Sequence, residues 1–308
     1  MKRELAPLVM FVYNRLDSVE QTVENLRKNE LADQTDLFIF SDAAKKENQE
    51  ENVKLVREYI HKIDGFNSVH ILEAEKNKGL AKSVITGVTE IINERGKVIV
   101  VEDDLIAAPQ FLSFMNAALD FYESEKRIWS ISGYQFPFEM PETYTKTIYA
   151  AYRSSSWGWA TWKDRWETID WKIQDYDSYK YNLVKIAKFC RGGTDLDKML
   201  RYQMKGKIDS WAIRWCYNQY KQDKLTIYPT KSLVNNIGTD GRGTHCDPTS
   251  RRFGTKLANN FEYSFEHGLL PENEIMKRYR KIVNRSIFRK AHSYIQSVIA
   301  KRKGLISC

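Results

Sequence analysis

The sequence predicts an α/β protein: a doubly wound, mostly parallel sheet with helices on both faces. Two observations carry this expectation. In the first hundred of the 308 residues, short β-branched and aromatic runs alternate with segments whose apolar residues recur every three or four positions. The strand-like runs are apolar at consecutive positions, as in strands covered on both faces.

The elements follow in order. "LVMFVY" (8–13) reads as the first strand, and Leu16, Val19, Val23 and Leu26 as the apolar stripe of a helix, with Asp17 and Glu20 in the relation of a capping box. "DLFIFSD" (36–42) is the second strand, followed by a stripe of Val53, Val56, Ile60 and Ile63. "VHILEA" (69–74) is the third, followed by Leu80, Val84, Val88 and Ile91; "KVIVVEDD" (97–104) is the fourth. Strand and helix in this alternation imply right-handed crossovers between parallel strands. Pro109 suits a helix start, Phe111, Met115, Ala118 and Tyr122 continue the pattern, and "IWSISGY" (128–134) is a further strand. Beyond it the order fades into aromatic clusters and the glycine-containing stretch "GTDGRGTHC" (238–246), with no internal repeat. The expected organisation is one domain in two halves, residues 1–108 and 109–270, with a basic tail over 271–308.

Composition narrows the class. Hydrophobic residues make up 42% of the chain, enough for a large core. No apolar stretch is long enough to cross a bilayer, and "MKRELAPLVMFVYNR" lacks a signal-peptide core, so a cytosolic location is expected. Cys190, Cys216, Cys246 and Cys308 have no paired spacing and read as reduced thiols. The net charge of +8 belongs to the tail: Ile275 to Cys308 holds ten Lys or Arg and no acid, whereas residues 1–274 hold 38 basic and 40 acidic side chains. A nucleic-acid-binding core is therefore not indicated.

Doubly wound sheets bind ligands at the carboxyl ends of their strands. Those ends carry Tyr13, Asn14 and Arg15, then Ser41 and Asp42, then Asn77, Lys78 and Gly79, then Glu102, Asp103 and Asp104. The turn "YNRLDS" has no glycine to admit a pyrophosphate, and no GxxxxGK motif followed by Ser or Thr occurs, which argues against dinucleotide and P-loop chemistry. Three adjacent carboxylates repel one another and resist burial unless a cation joins them. Mg²⁺ or Mn²⁺ would take carboxylate oxygens on one side and diphosphate oxygens on the other. Asp103 and Asp104 would diverge, one to the metal and one to a sugar or ribose hydroxyl. On the residues alone a solvated strand end stays open as an alternative; the position at the fourth strand end favours the cation.

With these residues together, the chain resembles the glycosyltransferases of the GT-A fold. It is similar to the family-2-like bacterial enzymes and, around "VIVVEDDLIAAPQFLSF", to the N-acetylglucosaminyltransferase I type, through Glu102, Asp103, Asp104, Pro109 and Phe111. "VMFVYNR", "SDAAK", "NKGLAKSV" and "SWGWATWKDRW" look similar to the bacterial enzymes. The resemblance spans roughly residues 5 to 260 and implies that 1–108 is the nucleotide-sugar-binding half and 109–270 the acceptor side. Asp104 would ligate the metal and Asp103 the ribose or donor sugar. Asn14, Arg15 and Asp42 would line the nucleoside pocket, with Glu102 beside it and Lys78 and Lys82 offsetting phosphate charge. Asp209, in "KIDSWAIRW", would be the general base of an inverting transfer, its apolar neighbours raising its pKa, unless it only caps a helix. His245 would reach the metal or diphosphate from a mobile loop containing Gly238, Gly241 and Gly243. Trp157 and Trp159 would meet sugar, with Trp162, Trp166 and Trp171 in the core.

The expected function is a metal-dependent, inverting transfer from a UDP-linked donor to a surface polysaccharide or lipid-linked glycan. The alternatives are a sugar-phosphate nucleotidyltransferase, which would carry a glycine-rich basic loop after the first strand, and a non-catalytic carbohydrate-binding protein, which has no need of the triplet. The tail sets Ile275, Tyr279, Ile282, Phe288, Ile295 and Ile299 among Lys and Arg, the pattern of an anchor on the anionic inner face of a membrane or of a helix packed on its own domain.

Overall fold

The computed structural model describes residues 4–238 and 253–284. The first half forms the expected alternation: β1 (Leu8–Val12), α1 (Leu16–Arg27), β2 (Asp36–Ser41), α2 (Glu50–Ile60), β3 (Ser68–Glu73), α3 (Leu80–Arg95) and β4 (Lys97–Glu102). The chain continues through β5 (Leu105–Ala107), α4 (Phe111–Tyr122), β6 (Ile128–Ser132), β7 (Ile148–Ala151) and β8 (Trp159–Trp162). Short helices follow, α5 (Lys163–Trp166), α6 (Tyr176–Tyr179) and α7 (Leu183–Phe189), then α8 (Asp195–Met204), α9 (Trp211–Lys221), β9 (Leu225–Pro229), β10 (Val234–Asn236) and α10 (Asn273–Val283).

Eight strands make one sheet in the order β3-β2-β1-β4-β8-β6-β9-β7, while β5 and β10 form a separate antiparallel pair. The four strands of the first half are parallel to their neighbours. The second half is mixed: β8 runs antiparallel to β4 and β6, and β7 antiparallel to β9. No helix intervenes between β6 and β7, and the chain reverses direction between them; β8 then runs parallel to β7, with two strands between them.

Alternation along the strands divides the core. Leu8, Met10 and Val12 of β1 and Ile99 and Val101 of β4 face α1, α2, α4 and α10. Val9, Phe11, Val98 and Val100 face α3 and α9. Glu102, next in the alternation after Val98 and Val100, is thereby placed on the α3 side. Asp17 is not the N-cap that a capping box with Glu20 requires: α1 starts two residues earlier, with Arg15 at the N-cap, and Asp17 lies inside the first turn, where a negative charge favours the helix dipole.

The tail divides at Asn284. Ile275, Met276, Tyr279 and Val283 of α10 are buried in the main core, so this part of the apolar stripe covers the protein's own domain and is closed to lipid. Phe288, Ile295 and Ile299 lie outside the described residues. Among the described residues, no helix is long and apolar enough to cross a membrane.

Candidate active site

The ends of β1 and β4 are adjacent because the two strands pair directly, with Phe11 opposite Glu102. One residue beyond this register the polar groups interlock. Arg15 Nη2 donates to Asp103 Oδ1 at 3.0 Å and to Asp104 Oδ2 at 3.1 Å, and Tyr13 N donates to Asp103 Oδ2 at 3.3 Å. Asp103 and Asp104 are each only 8% exposed, so one guanidinium offsets two nearly buried charges.

The electrostatics show how tight this balance is. Burial first, and then repulsion from Asp104 and Asp103, push the Glu102 carboxyl up to about 8 although Arg15 opposes them. Burial likewise raises Asp103 to about 6 against the pull of Arg15. Burial works against the charge on Arg15, but Asp103 and Asp104 outweigh it and hold the guanidinium cationic. More positive charge at this point would be accommodated.

A second element completes the cluster. β10 pairs with β5, with Asn236 opposite Leu105, and this brings the amide of Asn236 to Asp104 Oδ1 at 3.0 Å. Ile237 N donates to the backbone oxygen of Asp104 at 2.8 Å. Gly238 lies so close that an added Cβ would collide with Asp104 Oδ2, so only glycine leaves that oxygen clear. Asn236 Oδ1 is buried and has no partner among the described residues. Asn236 was not foreseen, because its relation to Asp104 arises from a strand pairing across 132 residues.

Whether these groups suit a divalent cation follows from their chemistry. Asp103, Asp104 and the orphaned Asn236 Oδ1 are hard oxygen donors, and the repulsion among the carboxylates is what a cation relieves. Among the described residues no three His, Cys, Asp or Glu side chains converge into a protein-only cage. Mg²⁺ and Mn²⁺ can be held by one or two carboxylates, with their remaining positions left to phosphate and water. The residues fit the ion. His245, Gly241 and Gly243 lie outside the described residues.

Asp42 has a different first task from the expected one. Its two oxygens accept from Ala43 N at 2.9 Å, Lys78 N at 2.8 Å, Asn77 Nδ2 at 3.1 Å and Gly79 N at 2.8 Å. These four contacts use its acceptor capacity and fasten the turn before α3 to the end of β2. Gly79 takes φ +74° there, a conformation glycine adopts without strain. Lys78 and Lys82 stand exposed at the N-terminus of α3 and pair with no carboxylate among the described residues. Asn14 is half-buried beside Arg15.

Asp209 stands at the same edge. β9 is parallel to β6, which like β4 is antiparallel to β8, so β9 and β4 point the same way. α9 leads into β9 and therefore starts at the edge that carries the triplet. Ser210, not Asp209, caps α9, accepting from Ile213 N. The apolar burial expected around Asp209 is absent: its side chain is 70% exposed and pairs with Arg214 at 2.9 Å.

Trp159, expected near the sugar, is core. It is 1% exposed and packs against Trp215 with ring centroids 4.1 Å apart, and against Trp211 at 5.2 Å and Trp166 at 5.8 Å. β8 is covered on both faces: Trp159 faces α9, whereas Trp162 faces α4 and donates from its indole to Leu119 O. Trp157, two residues before the strand, stays half-exposed against Tyr134 and Phe253.

Comparison with known proteins follows the geometry. The profile of the GNT-I family matches residues 1–178, more than half of the chain. No curated protein sequence matches significantly. Among solved structures, the mannosyltransferase PcManGT from Pyrobaculum calidifontis, in complex with GDP-Man and Mn²⁺, is similar at 11% identity and TM-score 0.40, over 71% of this chain and 73% of that one. S. aureus TarS is similar at 13% identity and TM-score 0.34 over 49% of this chain, which spans a quarter (25%) of TarS. TarS 1–349 in complex with UDP-GlcNAc is similar at 14% identity and TM-score 0.34, over 47% of this chain and 39% of that one. These likenesses are too distant to add weight to the family match. The chain belongs to the GNT-I family and is a glycosyltransferase.

Proposed function

We propose that this glycosyltransferase moves a sugar from a nucleoside diphosphate donor, UDP-linked, to a surface polysaccharide or lipid-linked glycan, with inversion and with Mn²⁺ or Mg²⁺. The observation that carries the reading is the Arg15–Asp103–Asp104–Asn236 cluster at the carboxyl ends of β1 and β4, where hard oxygen donors and a cationic fork meet at one point.

Each residue has a task there. Asp104, held by Asn236 and Ile237 N, would carry the metal. When bound, the ion supplies charge neutralisation for the departing diphosphate. Arg15 has a planar fork suited to phosphate oxygens, and Lys78 and Lys82 add charge where the first N–H groups of α3 point out. Asp103 would hold a ribose or sugar hydroxyl. Asn14 and the turn fixed by Asp42 would border the nucleoside. Asp209 would accept the proton of the acceptor hydroxyl as its oxygen bonds to the anomeric carbon and the bond to diphosphate breaks. Trp157 offers the acceptor an aromatic face.

Calorimetric titration with UDP, with and without Mn²⁺, tests the reading. Metal-dependent UDP affinity is expected, and its absence in a folded protein would overturn the proposal. Hydrolysis measured across a panel of nucleotide sugars would then identify the donor.

A further inference from the structure

We propose that the apolar tip at residues 181–184 docks the protein on an anionic lipid surface. Tyr181 is 80% exposed, and Leu183 and Val184 are each 79% exposed. Single exposed apolar side chains are ordinary, but three within four residues form a patch that asks for a partner.

The tip is held in place from behind. Asn182 caps α7 by accepting from Lys185 N, and Phe189 at the far end of the helix is buried with Tyr179, Leu196 and Tyr217. The helix thus has an anchored end and a projecting end, and the projecting end is the apolar one.

Charge selects the partner. Residues 172–207 hold nine Lys or Arg against four Asp or Glu, whereas the rest of residues 1–274 holds 29 against 36. A basic block is thus set on a chain segment that is otherwise acidic. Beside the tip, Lys180 pairs with the exposed Asp177; at the anchored end of the helix, Lys188 and Arg191 share Asp223. Lys185 pairs with no carboxylate among the described residues and donates to Ser178 Oγ. Apolar side chains that can enter the acyl boundary, next to Lys185 and on a basic stretch of chain whose cations stay at the headgroups, are the combination an anionic bilayer retains.

Other occupants fit less well. Residues 285–308 follow Asn284, whose Oδ1 accepts from Thr194 N and Oγ1. They carry six Lys or Arg and no acid, so covering the block with them would set like charges together. A second copy of the chain brings the same repulsion. The inference is independent of the donor chemistry, and it places membrane contact on a surface other than α10.

The test uses the full chain in sedimentation with phosphatidylcholine vesicles, with and without phosphatidylglycerol. Binding is expected only with phosphatidylglycerol and should weaken as salt is added. The double variant Leu183→Ser, Val184→Ser should bind roughly tenfold more weakly, with melting temperature and UDP affinity unchanged. Undiminished vesicle binding by this variant, or no binding by the parent, overturns the proposal. A lowered melting temperature with unchanged lipid binding would mean that the chain itself covers the patch. A dimer in light scattering that the variant dissociates, again with unchanged lipid binding, would assign the patch to a second copy. Either result overturns it as well.

Discussion

On β4, the apolar run ends in Asp103 and Asp104, each 8% exposed and joined by Arg15; on the neighbouring strand β8, Trp159 is 1% exposed and packed among Trp166, Trp211 and Trp215. Both stretches stand out in the sequence, and both lie beside the same sheet. The carboxylates sit where the strand has left its neighbours, so their charge has to be answered by groups from other strand ends. The indoles sit within the strand, where alternation sends them into whichever layer covers that face. Burial therefore goes with charge compensation in one region and with apolar packing in the other, and position relative to the strand end separates the two.

The largest separation between the regions is expected from Asp104→Ala. Donor turnover should fall by about a thousandfold or more if Asp104 is the charged ligand to the metal that we propose, while the melting temperature changes little, since removing one carboxylate also relieves repulsion. Near-normal turnover in that variant would place the chemistry elsewhere. Trp215→Ala should do the opposite. It opens a void in the indole cluster and should cost about 3–5 kcal/mol in denaturant unfolding, with metal-dependent UDP affinity of the folded fraction intact. If UDP affinity were lost without loss of stability, the cluster would belong to the site. Smallest of the three is Asn236→Ala. Its amide positions Asp104, so metal-dependent UDP affinity should drop about 10- to 100-fold, and Asn236→Asp should restore little because it adds charge beside Asp104. An unchanged titration would reduce Asn236 to a structural contact between β5 and β10.

Much of the first half could be read directly. Leu8 to Val12, Asp36 to Ser41, Ser68 to Glu73 and Lys97 to Glu102 are strands within one or two residues of expectation, since runs this apolar are stable only between two layers. The convergence of Arg15 with the triplet follows from parallel strands whose carboxyl ends share an edge. Asp42 was placed at that edge correctly, but its role as a clasp on the turn at Asn77 to Gly79 depends on hydrogen-bond geometry that no periodicity encodes. Trp159 and Trp157 are two residues apart and chemically alike, and their separation into core and edge is decided by where β8 begins. Asp209 has apolar neighbours in the sequence, yet its exposure and its pairing with Arg214 depend on what surrounds the loop.

The sequence by itself determined the alternation of strand and helix, the absence of a glycine-rich phosphate loop, and the placement of three carboxylates at the end of a buried strand, because these depend on neighbours within a few residues. The tertiary structure decided the reversed strands of the second half, the hold of Asn236 and Gly238 on Asp104, the burial of the indoles and the inward turn of α10. It also left Tyr181, Leu183 and Val184 uncovered. Each of these depends on which distant segment supplies the opposite surface, and burial and charge compensation act between whatever groups the fold brings together, however far apart they lie in the chain.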